Sequence, residues 1–301
     1  MALDQPNPNE PDEHAHDRGL SLDLPTILSR RRLLGLLGGV GAAGALTVAG
    51  CASDGSGSGA TTTATAAASQ QPGGPGGGPP GGGPGGDGGD TAVEEGTIPE
   101  ETGGPYPADG SNGVNVLNQS GIVRSDITKS FGSGSAVAAG VPLTITLTVV
   151  DLSNGSAPLT GAAVYLWHCD QEGRYSLYSE GVTGENYLRG VQEADAAGKV
   201  TFTSVYPAAY SGRWPHIHFE VYPNLAAATT ASGKLRTSQV ALPEDASDKV
   251  YATAGYEQSV QNMARTSLAN DNVFSDGYSL QLGKVIGDVT GGMTVTLNVP
   301  V

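Results

Sequence analysis

Residues 52–102 decide how much of this chain can fold. They run through TTTATAAAS and GGPGGGPPGGGPGGDGGD with almost no large apolar side chain. Such a stretch buries too little surface to offset the entropy of ordering it, so it is expected to remain a flexible, disordered tether. Folding is left to residues 103–301, enough chain for one domain around one core.

The tether is preceded by SRRRLLGLLGGVGAAGALTVAGC, residues 29–51. Its apolar part is shorter and more glycine-diluted than the ~20 strongly apolar residues of a spanning helix. Arg30 and Arg31 ahead of that run resemble a twin-arginine export signal, and VAGC resembles a lipobox whose Cys51 becomes the lipidated N-terminus. The reading divides the chain into a lipoprotein signal at 1–51, a linker at 52–102 and a folded domain at 103–301. It expects export and attachment, through the lipid alone, to the outer face of the cytoplasmic membrane or the cell surface. Cleavage would discard His14 and His16 and leave His168, His216 and His218. Cys169 would have no thiol to pair with, so no disulfide is expected. A formal charge of −15 excludes nucleic acid as a partner, because phosphate binding needs a basic surface.

The domain reads as all-β. Leu143, Ile145, Leu147 and Val149 alternate with threonines, as do Met293, Val295, Leu297 and Val299 with Thr294, Thr296 and Asn298. Both patterns predict half-buried strands. GAAVYLWH (161–168), GKVTFTSVY (198–206) and HIHFEVY (216–222) predict further strands, and only 246–268 is helical material, for one or two short helices. The expected architecture is a β-sandwich of mixed and antiparallel strands.

Within GRWPHIHFEV (212–221), strand alternation puts His216, His218 and Glu220 on one face and Ile217, Phe219 and Val221 on the other. Two imidazoles on one face suit either a polar outer face or a metal site. Neither Cys-x-x-Cys nor His-Glu-x-x-His is present to supply further ligands. Tyrosine is at hand: Tyr210 lies six residues before His216, and Tyr175 just past a predicted strand. Phenolate is a hard donor suited to ferric iron.

These motifs resemble the intradiol ring-cleavage dioxygenases, the family of catechol 1,2- and protocatechuate 3,4-dioxygenases. The likeness runs through EETGGPY, GIVRSDI, PLTGAAVYLWHCDQEGRYSLY, YLRGVQEADAAGKVTFTSVYPAAYSGRWPHIHF, TSQVALPED and DNVFSDG, most of residues 98–301. It implies one non-haem Fe(III) held by Tyr175 of the G-x-Y-S segment, Tyr210 of P-x-x-Y, and His216 and His218. The implied activity cleaves a catecholic substrate with O2, between its hydroxyl-bearing carbons, to a muconate-type diacid. Tyr210 would double as a base, Arg213 would stabilise charge on the substrate, and Gln239 of TSQV would lie near substrate and oxygen. Tyr206 precedes the proline and is expected to end a strand. His168 and Cys169 are expected to be structural, and Tyr165, Trp167 and Tyr178 to be packing residues. Two other classes compete: a catalytically silent β-sandwich lipoprotein that binds aromatics or protein, and a cupin-type metal enzyme. The latter needs a glutamate about four residues after the second histidine, but Glu220 is only two beyond it.

Overall fold

A computed structural model describes residues 96–301. The leader, Cys51 and linker residues 52–95 lie outside the described residues. The strands are β1 (Pro142–Asp151), β2 (Ala157–Pro158), β3 (Ala163–Trp167), β4 (Arg189–Glu193), β5 (Lys199–Val205), β6 (His216–Tyr222), β7 (Arg236–Ala241), β8 (Lys284–Asp288) and β9 (Gly292–Pro300). Between β7 and β8 lie two short helices, α1 (Glu244–Tyr251) and α2 (Glu257–Met263). No helix among the described residues is long and apolar enough to cross a membrane.

Two sheets form the sandwich expected from the sequence. In the first, β1 pairs antiparallel with β5 and, at its end, with β2; on its other side it pairs parallel with β9, which carries β8 at the edge. The second is antiparallel, in the order β4-β3-β6-β7. The threonine-spaced residues Leu143, Ile145, Leu147 and Val149 all point inward, with Val200 and Phe202 of β5. They meet Val164 and Leu166 of β3 and Ile217, Phe219 and Val221 of β6 in one core, as alternation requires of two facing sheets.

The outer face of the second sheet is not solvated. Every residue of β6 is buried, and so are all five of β3. Loops cover that face and form a second apolar cluster that includes Leu117, Ile122, Tyr165, Trp167, Tyr175 and Tyr210. The polar-outer-face reading of His-x-His therefore fails. The end of the stretch read as linker is also packed into the fold. Ile98 is fully buried with its N–H on the Pro300 carbonyl, and Glu101 N–H donates to Thr237 O at 2.8 Å. The ordered fold thus begins before residue 103, because Ile98 is a large apolar side chain with a core pocket to fill.

Candidate metal centre and active site

Strand register lays out one side of the site. Trp167 of β3 pairs with His218 of β6, and His218 pairs with Gln239 of β7, so the three form a row on the loop-covered face. The Trp167 and His218 rings stack, with centroids 4.9 Å apart and planes 7° from parallel. Two loops bring the tyrosines. Tyr210 and His216 are joined by a tight reversal in which Arg213 N–H donates to Tyr210 O, and Gly212 adopts φ 81°, a conformation glycine takes without steric cost.

Tyr175 comes from the loop between β3 and β4. Asp170 ties that loop down by accepting from the backbone N–H of Glu172 and Arg174, and Tyr175 N–H donates to Ser179 Oγ. The buried Arg189 guanidinium donates to both Ser176 Oγ and Ser176 O. Tyr106 packs against the Tyr175 ring at 4.9 Å.

The four side chains converge. His216 Nε2 lies 3.1 Å from His218 Nε2, 3.3 Å from Tyr210 Oη and 3.5 Å from Tyr175 Oη. All four residues are buried, Tyr210 the least so at 7 % exposed. His216 Nδ1 sits 2.6 Å from the Trp214 carbonyl, so it carries the proton and leaves Nε2 with its lone pair. Burial, reinforced by neighbouring positive groups, pushes both histidines well below the usual imidazole range and keeps them neutral. Burial likewise pushes the Tyr175 phenol well above its ordinary range.

This arrangement fits a cation. One sp² nitrogen has a single lone pair, yet three polar atoms crowd it. Two imidazole nitrogens and two phenol oxygens aimed at one buried point form a donor set for a hard trivalent metal, whose charge would reverse the cost of ionising a buried phenol.

Arg213, 1 % exposed, donates through Nη2 to Gln239 Oε1 at 2.7 Å and pairs through Nε with Asp271 Oδ2 at 3.0 Å. Gln239 Nε2 donates in turn to Thr102 O. Arg213 is thus bonded to Gln239, which lies opposite His218 in the strand register.

It sets the other candidates apart. Tyr206 Oη is bonded to Ser247 Oγ of α1, at 2.8 Å. Both ring nitrogens of His168 are occupied, by Cys169 O and Ser204 Oγ, and burial lowers its pKa to about 4. Cys169 is a buried free thiol. Glu220 is engaged by Lys234 Nζ and Tyr222 Oη rather than by the histidines, with desolvation lifting its pKa to about 7. Sequence reasoning missed three contributors: Asp271, the Thr102 carbonyl and Arg189. The first two lie 58 and 137 positions from their partners, and although they fall in the EETGGPY and DNVFSDG segments of the likeness, nothing in those segments says which residues they meet.

Residues 123–230, which contain Tyr175, Tyr210, Arg213, His216 and His218, match the family model described as Dioxygenase. In solved structures, the chain is similar to an intradiol ring-cleavage dioxygenase from Tetranychus urticae: 25% identity over 68% of this chain and 93% of that one, with a TM-score of 0.53. It also aligns with the dioxygenase domain of a carbohydrate-binding protein fusion from Streptomyces sp. SirexAA-E (21% identity, 68% and 97% covered, TM-score 0.44). A third match is catechol 1,2-dioxygenase from Pseudomonas arvilla C-1 (19% identity, 67% and 60% covered, TM-score 0.42). The family model matched is thus a dioxygenase model, and the mite protein that shares the fold is an intradiol ring-cleavage dioxygenase.

Proposed function

We propose that the domain is a non-haem ferric enzyme that opens a catechol-type ring between its two hydroxyl-bearing carbons, adding both atoms of O2 to give a muconate-type diacid. The supporting observation is the convergence of two phenol oxygens and two imidazole Nε2 atoms on one buried point. Held by Tyr175, Tyr210, His216 and His218, ferric iron would supply the Lewis acidity that favours phenolate over phenol in both protein and substrate.

The chain's own groups do the rest. Tyr210 lies on the loop and is the less buried of the two tyrosines, so its Oη is the one suited to take a proton from a substrate hydroxyl. Tyr175 is fixed by its loop and by the Tyr106 ring. The Trp214 carbonyl holds His216 in the tautomer that presents Nε2. Arg213 keeps its charge at any working pH, and its burial strengthens its effect on an anionic substrate. The loop cover excludes water from these groups.

The test is to load purified protein with iron and follow O2 uptake with catechol, hydroxyquinol and protocatechuate. The expected result is a burgundy protein, from tyrosinate-to-iron charge transfer, that consumes one O2 per ring opened. A coloured, iron-loaded protein inert toward all three would point instead to a silent aromatic-binding domain.

We also propose that this domain acts outside the cytoplasm, attached through Cys51. The reading is supported by the sequence at 29–51. Cys51→Ala is expected to permit export and abolish fatty-acid labelling; a labelled variant protein would sink it.

A further inference from the structure

Arg213 is held from two sides. A guanidinium is a planar fork, and one hydrogen bond leaves it free to turn about that bond. Here two different nitrogens are fixed, Nε by Asp271 Oδ2 and Nη2 by Gln239 Oε1, so the plane itself is set. The glutamine cannot rotate away without giving up the Thr102 carbonyl.

Asp271 is fully buried, and its two oxygens have different tasks. Oδ1 accepts from the N–H groups of Val273 and Phe274 and shapes the turn that follows. Oδ2 faces the other way, accepting from Arg213 Nε at 3.0 Å and from Trp214 N–H at 2.7 Å. Trp214 in turn supplies the carbonyl that orients His216. A turn cap alone would need only the Oδ1 contacts.

We propose that Asp271 is the positioning residue of Arg213: its carboxylate aims the guanidinium at the substrate position beside the four donors, while Gln239 and the Thr102 carbonyl hold the opposite edge. The assignment rests on the dioxygenase reading above, since it needs an anionic substrate for Arg213 to meet.

Asp271→Asn separates the two tasks. The amide oxygen can still cap the turn, but its NH2 then confronts two N–H donors, and Arg213 loses its anchor. The expected loss in kcat/KM is roughly 10²-fold, the scale of removing one preorganised donor from a site, with iron content retained. In an Arg213→Ala background the same change should cost no further activity.

External guanidinium provides a second measurement that does not need the single Asp271→Asn protein. It should restore activity to Arg213→Ala, where Asp271 can hold it, and not to the double variant. The proposal is overturned if Asp271→Asn leaves kcat/KM unchanged. It is equally overturned if the loss is the same with and without Arg213, or if guanidinium rescues both backgrounds alike. A wild-type protein that opens no catechol ring would instead overturn the functional reading, and this assignment with it.

Discussion

Phenylalanine at Tyr175 is expected to strip the protein of most of its iron and of its visible colour, whereas phenylalanine at Tyr210 should keep the iron and lose turnover. The difference follows from where each residue sits. Tyr175 is 1 % exposed, packed under Tyr106 and fixed through Ser179 and the Ser176–Arg189 contacts, so its phenolate would be a permanent donor. Losing a direct ligand should weaken metal binding beyond the roughly 10–100-fold that loss of an outer-shell partner costs. Tyr210 comes from the short loop before β6, and its removal leaves three donors and no base. A fall in kcat of about 10²–10⁴-fold is expected, with the charge-transfer band from Tyr175 still present. Tyr206→Phe is the matched control. Its hydroxyl is bonded to Ser247 Oγ of α1, so the change should cost about 1 kcal/mol of stability and leave iron, colour and activity in place. Metal analysis and the visible spectrum of the three variants check this. Bleaching by Tyr206→Phe together with a coloured, active Tyr210→Phe would move the ligand to Tyr206.

A chain beginning at residue 96 should retain full activity, and one beginning at residue 105 should not. The nine residues between them carry Ile98 into the core, exchange hydrogen bonds with Thr237 through Glu100 and Glu101, and present the Thr102 carbonyl to Gln239. Burial of one isoleucine contributes about 1.5–3 kcal/mol and each hydrogen bond about 0.5–1.5 kcal/mol. The shorter chain should therefore unfold roughly 3–7.5 kcal/mol more easily. It should also lose at least about tenfold in kcat/KM as Gln239 and Arg213 loosen. Denaturant titration and steady-state kinetics on the two purified chains decide the matter. Equal stability and equal rates would show that this arm is mere covering.

Which parts of the fold were legible follows from how many faces each strand covers. β1 and β9 announce themselves because one face meets the core and the other meets solvent or neighbouring threonines, which produces alternation. β4, with sequence RGVQE, and β7, with RTSQVA, gave no such signal. β7 is buried from Thr237 to Ala241 although its first half is polar, and its Thr237, Ser238 and Gln239 side chains are satisfied by Glu220, Gln281, Arg213 and Thr102. Those partners come from other parts of the chain, so local composition could not reveal them.

The site shows the same division. His-x-His was visible as a pair on one face, and Tyr175 and Tyr210 were recognisable by their motifs. The groups that aim them, Asp271, Arg189 and the Thr102 carbonyl, were not. The linker boundary was misplaced for a related reason. Ile98 is one apolar residue in a polar stretch, and its importance comes entirely from the pocket that receives it.

Cys169 has a chemical consequence. Catechols oxidise in air to ortho-quinones, soft electrophiles that add to thiolates. The only cysteine among the described residues is 1 % exposed, and burial beside Asp170 drives its thiol far above the range in which thiolate forms. Under the proposed function, the described residues would thus present such compounds with no accessible sulfur nucleophile.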